Sequence, residues 1–226
     1  MTQLFALAAL LAASPVSAGP VPSFENILGT LRQSVLETRR EQIQAKDART
    51  AQDLSRLARD VERLGWDARR LKDRISDIRR RASRVLTSRP GDPRRPGQPG
   101  RPGQPGQPGQ SDPFLRNDIQ RLVWDLKDFT RSGDDAQREL DRLTREAGQD
   151  PQHVDPARQL ENATRSLESE TRWLESEGRW ASMDLRRAGY NFEAWDVERG
   201  TQDGERRAQE LSRGARRLQE QVRPQP

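Results

Sequence analysis

The feature that most constrains this chain is a run of ten apolar residues between positions 54 and 85, spaced alternately three and four residues apart. They are Leu54, Leu57, Val61, Leu64, Ala68, Leu71, Ile75, Ile78, Ala82 and Val85. This spacing is the roughly 3.5-residue repeat of a helix that packs against another helix in a coiled coil. A lone polar helix would leave the whole apolar face in water, so the pattern predicts a long helix with a partner helix.

An earlier apolar group, Phe24, Ile27, Leu28, Leu31 and Val35, predicts that helix also forms upstream. Its apolar positions drift out of register with the later run somewhere between residues 42 and 50. Because that stretch contains neither glycine nor proline, one continuous helix and two separate helices both remain open.

Three more apolar patterns predict three helices in the C-terminal half, joined by short loops as an antiparallel bundle. The patterns run from Ile119 to Ala147, from Leu160 to Trp195 and from Ala208 to Val222. Asp112-Pro113 and Asp155-Pro156 are favourable starts for the first two, because an N-cap aspartate precedes a proline at the first helical position.

The turn before the last helix is predicted at Gly200 and Gly204. No stretch has the alternation typical of a strand. The predicted fold class is all-α, with long coiled-coil-like helices: a helical hairpin or one long helix in the first half, and the antiparallel three-helix bundle in the second.

A Pro/Gly-rich (PGQ) linker at residues 89–113 separates a basic helical region at 19–88 from the three-helix bundle at 114–226. Proline and glycine at this density exclude regular helix and sheet, so we expect a semi-rigid polyproline II spacer. Glycine recurs every third residue from Gly97 to Gly109, as in collagen, but five triplets are few for a stable triple helix.

The first 18 residues have the pattern of a secretory signal peptide. An uncharged apolar run, Leu4 to Ala13, is followed by the small-residue pattern Val16-Ser17-Ala18, and the run is too short to span a membrane. The chain has no cysteine, which excludes disulfides and cysteine-ligated zinc. These features predict a periplasmic or secreted bacterial protein.

The inventory of reactive side chains predicts a non-enzymatic protein without metal or cofactor. The single histidine, His153, lies between Asp150 and Asp155 and is expected to be an exposed loop residue rather than a metal ligand. Glu168, Glu170, Glu175 and Glu177 alternate with arginines, which predicts an ion-paired helix face rather than acid–base chemistry.

Two tryptophans occupy equivalent places in what looks like an internal repeat. Residues 60–67 and 118–125 share Asp, Arg-Leu and Trp-Asp at matching positions, which aligns Trp66 with Trp124. Both fall opposite the apolar face of their helices. We interpret them as a second packing contact in a bundle, with a partner-binding surface as the alternative. For Trp173 and Trp180, packing at the edge of the core is expected.

Positive charge concentrates around the start of the linker, in eight arginines: Arg79, Arg80, Arg81, Arg84, Arg89, Arg94, Arg95 and Arg101. Such a run is typical of binding to an anionic envelope polymer. The alternative is that these arginines solvate a helix end and pair with acids of the second half.

The sequence therefore predicts an exported helical protein that acts by self-association or by binding a protein partner, as a scaffold, adaptor or holdase-like protein. The partner is another copy, the other half of the chain or a different protein. Binding of an anionic envelope polymer through Arg79–Arg101 is the alternative function. No transmembrane segment is expected after removal of the signal peptide.

Overall fold

The computed structural model describes residues 24–87 and 113–223, with side chains from 32–87 and 114–223. In these residues the chain forms four α-helices and no strand: α1 (Phe24–Thr87), α2 (Pro113–Glu146), α3 (Pro151–Ala188) and α4 (Asn191–Val222). The predicted all-α class is confirmed, and the helices pack as a bundle. The predicted signal peptide and nearly all of the predicted linker lie outside the described residues.

Helix α1 is continuous from Phe24 to Thr87, so the first half of the chain forms one long helix and not two separate ones. Two compact units divide the chain, residues 1–44 and residues 45–226. The described part of the first unit is the upstream portion of α1. The second unit contains the rest of α1 with α2, α3 and α4.

Within the second unit, α1 packs antiparallel to α2 and parallel to α3. Asp53 pairs with Arg142, and Arg81 pairs with Asp118, so α1 and α2 run in opposite directions. Arg69 pairs with Glu170, and Arg79 pairs with Asp184 further along both helices, so α1 and α3 run the same way.

Helix α4 completes the bundle by packing against α2 and α3, with glycines at the close approaches. A Cβ at Gly200 would lie 3.1 Å from the Cβ of Leu126, and one at Gly204 would lie 3.0 Å from the Cε1 of Phe129. Gly178 of α3 meets the side chain of Thr201 in the same way. Because glycine has no side chain, these helix backbones can come close together.

The core is built from the apolar positions that the spacing identifies. From Leu54 to Ala82 every member of the α1 run is buried, and Val85 is partly buried. In the other helices the residues of Ile119–Ala147, Leu160–Ala188 and Ala208–Val222 that carry the pattern are buried too. Removing this surface from water is the principal stabilisation of the bundle.

The predicted start of the third helix is wrong by one turn. Asp150 and Pro151 repeat the Asp-Pro pair five residues before Asp155-Pro156, and the earlier pair is used. The Asp150 side chain accepts a hydrogen bond of 2.8 Å from the backbone N–H of Gln152, as an N-cap does. Pro156 lies inside α3.

The predicted turn at Gly200 and Gly204 is also wrong, because both glycines lie within α4. The chain turns instead at Gly189, which has a φ of 97°. The backbone N–H groups of Gly189 and Tyr190 donate to Arg186 O and Leu185 O, which is the Schellman ending of a helix. The apolar spacing continues from Leu185 to Trp195 across this turn and therefore conceals it.

Candidate interaction surfaces

Trp66 and Trp124 are exposed, so the interpretation that they pack inside the bundle is wrong. Their exposed fractions are 66% and 67%. Each helix of the bundle buries the face that carries its apolar run, and both indoles lie on the opposite side. The alternative interpretation, a partner-binding surface, therefore has the accessible side chains that it requires.

Exposure extends to all five tryptophans. Trp173, Trp180 and Trp195 are also more than half exposed, so the expected packing of Trp173 and Trp180 at the core edge is wrong as well. Four of the five rings carry a cation above one face: Arg69 at Trp66, Lys127 at Trp124, Arg79 at Trp180 and Arg199 at Trp195. Such contacts hold an exposed indole in place while leaving its other face accessible.

Ion pairs between helices fix which residues share one end of the bundle. Arg79 Nε lies 3.2 Å from Asp184 Oδ2, Arg81 Nη1 lies 2.6 Å from Asp118 Oδ2, and Arg116 Nε lies 2.9 Å from Glu193 Oε1. These contacts bring the last turns of α1, the first turns of α2 and the α3–α4 turn to the same end. We call residues 78–87, 114–121 and 180–197 the aromatic end.

Large apolar side chains are exposed at the aromatic end on three helices. Phe114 of α2 and Phe192 of α4 are 77% and 87% exposed. Trp180 and Met183 of α3, with Trp195 of α4, are about half exposed. Phe192 and Trp195 were expected to continue the apolar face of α3, and the turn at Gly189 places them outside the core instead.

The aromatic end is also basic. It contains eight arginines, Arg79, Arg80, Arg81, Arg84, Arg116, Arg121, Arg186 and Arg187. It contains four acids, Asp118, Asp184, Glu193 and Asp196, and three more from just outside these ranges, Asp77, Glu177 and Glu198, pair with its arginines. Several of the arginines form ion pairs, and their side chains are nevertheless about 40–70% exposed.

The proposed polyanion site is described only in part. Arg79 pairs with Glu177 and Asp184, Arg80 with Asp77, and Arg81 with Asp118. The fold thus brings acids of the second half to Arg79 and Arg81, as the helix-end alternative expects, whereas Arg80 pairs within α1. Arg84 is exposed at the end of α1. Arg89, Arg94, Arg95 and Arg101 lie outside the described residues.

A second accessible apolar surface lies in the first unit. We call residues 32–44 of α1 the upstream segment, and its apolar side chains Val35, Leu36 and Ile43 are 61%, 55% and 59% exposed. Leu36 and Ile43 are seven residues apart. Continued in steps of seven, the same position reaches Thr50 and then the buried Leu57.

His153 is fully buried, contrary to the expectation of an exposed loop residue. Its Nδ1 atom lies 3.2 Å from Gly148 O and its Nε2 atom 3.1 Å from Asp47 O. Both partners are backbone carbonyls, so the ring joins the start of α3 to α1 and to the preceding loop. The Asp150 N-cap was the sequence signal that would have placed His153 in a helix.

The alternating glutamates of α3 are ion-paired, as predicted. Glu168 pairs with Arg172 and Glu175 with Arg179 along the helix, while Glu170 and Glu177 pair with Arg69 and Arg79 of α1. Within the described ranges, no group of three or more acidic or histidine side chains is placed to hold a metal ion. Nor does any helix there combine the length and apolarity needed to cross a membrane.

Comparison of the chain with protein-family models, with curated proteins and with solved structures found no match.

Proposed function

We propose that this is an exported, non-enzymatic helical protein that acts by contact, as a scaffold, adaptor or holdase-like protein, and that it associates with a second copy through the upstream segment. The observation that carries the proposal is the exposure of Leu36 and Ile43. They occupy the same heptad position that packs the helices of the bundle together further along α1.

Continuity of the heptad argues for a helical partner. Leu57, Leu64, Leu71 and Ile78 are buried at this position in the second unit, where other helices cover it. The upstream segment repeats the position with equally large side chains that are exposed. Covering the exposed half of each would contribute about 1–1.5 kcal/mol, so a helix with the same spacing gains most by packing there.

A second copy of the chain supplies such a helix. Leu36 and Ile43 of two such helices can pack against each other at this heptad position. Polar residues between them, such as Glu37 and Arg40, can pair across two chains at the edges of the contact.

Sedimentation velocity on the full chain over a wide concentration range tests the proposal. We expect reversible association, and we expect the double variant Leu36→Glu/Ile43→Glu to weaken it at least tenfold, since it places charges in the contact. Trp66→Glu is the matched control, because Trp66 is similarly exposed but lies in the second unit.

Each outcome is decisive. A wild-type chain that stays monomeric at every concentration would rule out self-association. Weakening by Trp66→Glu but not by the double variant would move the contact to the surface of Trp66 and Trp124. Binding of an anionic envelope polymer through Arg79–Arg101 stays a separate prediction, tested by titrating such a polymer at two salt concentrations.

A further inference from the structure

We propose that the aromatic end is a membrane-docking surface that binds the interface of an anionic lipid bilayer end-on. Phe114 and Phe192 would enter the boundary between headgroups and acyl chains, and Trp180 and Trp195 would lie at the headgroup level. The surface is separate from the upstream segment, and the proposal does not depend on self-association.

The types of side chain suit a lipid interface. Tryptophan is enriched where membrane meets water, because one part of the indole is apolar and the N–H donates a hydrogen bond. Peripheral proteins bury phenylalanine and leucine by about 5–10 Å while basic residues remain at the headgroups. The aromatic end has this division: exposed Phe114, Phe192 and Met183 beside eight arginines.

The placement of these side chains favours a bilayer over a protein partner. Helices α2 and α3 each pack against both α1 and α4, as the contacts of Arg142, Glu170, Arg207 and Thr201 record. They therefore occupy opposite corners of the bundle, with α4 between them. A protein lying along one face of the bundle would miss one corner. A bilayer meets the whole end at once.

The charge of the aromatic end favours anionic lipid. Eight arginines face seven acids, counting the three that pair with them from just outside these ranges, and anionic leaflets attract the remaining positive charge within about a Debye length of the surface. The ion pairs of Arg80, Arg81 and Arg116 leave the arginine side chains more than half exposed. Pairs this exposed contribute little, so the guanidinium groups can exchange a carboxylate for a lipid phosphate at small cost.

Cation–π contacts hold two indoles of the aromatic end in a fixed orientation. Arg79 lies 5.8 Å from the ring centre of Trp180, and Arg199 lies 5.1 Å from that of Trp195. An indole held over a guanidinium keeps its orientation before it meets lipid, which lowers the entropy lost on docking. The same guanidinium groups are then near the headgroup phosphates.

Vesicle sedimentation with the full chain tests the proposal. The probes are vesicles of phosphatidylcholine alone and vesicles of phosphatidylglycerol and phosphatidylcholine in equal parts. We expect at least tenfold tighter binding to the anionic vesicles, weakened by high salt, with a blue shift of tryptophan emission on binding. Brominated lipid should quench that emission.

Variants separate lipid insertion from simple charge attraction. Phe192→Ser should weaken binding to anionic vesicles about tenfold or more, because an apolar ring no longer leaves water. Trp173→Ser is the matched control: it removes an exposed apolar ring from the middle of α3, outside the aromatic end, and should leave vesicle binding unchanged. Phe192 is almost entirely exposed, so circular dichroism should show Phe192→Ser fully folded.

The proposal is overturned if anionic and neutral vesicles bind equally, or if neither binds. It is also overturned if Phe192→Ser binds anionic vesicles as the wild type does, since charge alone would then account for the attraction. Binding to soluble polyphosphate but not to vesicles would assign the arginines to a polyanion site instead. Loss of vesicle binding in Trp173→Ser alone would assign membrane contact to the middle of α3 instead.

Discussion

The Nε2 atom of His153, in the first turn of α3, lies 3.1 Å from the backbone carbonyl oxygen of Asp47 in α1. The ring is fully buried, and its Nδ1 atom lies 3.2 Å from Gly148 O. Whichever nitrogen carries the proton, at least one of these contacts is a hydrogen bond. One side chain thus packs between the beginning of α3, the loop before it and a helix about a hundred residues earlier in the chain.

We expect His153→Ala to lower the free energy of unfolding by about 2–4 kcal/mol, because it opens a buried cavity and removes a hydrogen bond. Urea unfolding followed by circular dichroism measures this change. Gln152→Ala, at an exposed neighbouring position, is the control and should change stability by less than about 0.5 kcal/mol. Equal stability of the two variants would show that the ring is not held in this way.

The error about His153 follows from where α3 was expected to begin. Once Asp155-Pro156 is taken as the start, residues 150–154 become a loop, and a lone polar residue in a loop is expected to be exposed. The apolar spacing does not reveal this error, because Leu160 lies well inside the helix whichever of the two Asp-Pro pairs begins it. Periodicity locates helix interiors better than helix ends.

Replacement by alanine should have opposite effects on stability at two of the glycines. A Cβ at Gly178 would lie 3.0 Å or closer to three atoms of the Thr201 side chain, whereas one at Gly65 meets nothing within 4 Å. We expect Gly178→Ala to destabilise the bundle by about 1–3 kcal/mol through overpacking between α3 and α4. Gly65→Ala should stabilise it by up to about 1 kcal/mol, because alanine is the better helix former.

Thermal and urea unfolding of the two variants beside the wild type measure both changes. If Gly178→Ala were as stable as Gly65→Ala, α3 and α4 would not approach as closely as the Thr201 contact requires. The sequence separates the two glycines in part, because Gly178 falls in the apolar run of its helix and Gly65 does not, but the closeness of the Thr201 contact depends on the neighbouring helix.

Acid should weaken the ion pair between Glu139 and Arg142 within α2. A hydrogen bond from Arg142 lowers the pKa of Glu139 below its ordinary value, partly opposed by desolvation, and the charge of Arg142 adds to the lowering. Because the folded pKa lies below the unfolded one, this stabilisation is present above the unfolded pKa, about 4.3, and is lost as the pH falls through the folded pKa.

We therefore expect Glu139→Gln to lower the free energy of unfolding near neutral pH by at most about 0.5–1 kcal/mol, since the pair is partly exposed. The difference from the wild type should shrink towards zero below about pH 4. Urea unfolding at several pH values measures it. A difference that stays constant down to low pH would mean that the carboxylate charge contributes nothing.

How much the sequence predicts differs between the two sides of each helix. The buried side follows from spacing alone: Leu64, Leu122 and Leu174 are buried because their positions repeat with the period of a packed helix. The outer side depends on the number and direction of neighbouring helices, which spacing does not encode. For that reason Trp66 and Trp124 were assigned to packing, and the gathering of aromatic residues at one end was not foreseen.

The exposed indoles make a prediction about fluorescence. Indole emission shifts to shorter wavelength when the ring is removed from water, and all five tryptophans are more than half exposed. We expect the native chain, at low concentration and without vesicles, to emit close to the wavelength of the urea-unfolded chain and to be readily quenched by iodide. Low concentration keeps a second copy from shielding any ring.

The stability of tryptophan variants should also show that the rings are exposed. Trp66→Phe and Trp124→Phe should change the free energy of unfolding by no more than about 0.5–1 kcal/mol, because each loses only an exposed indole and its contact with Arg69 or Lys127. A blue-shifted native emission, together with losses of several kcal/mol, would return both rings to the interior.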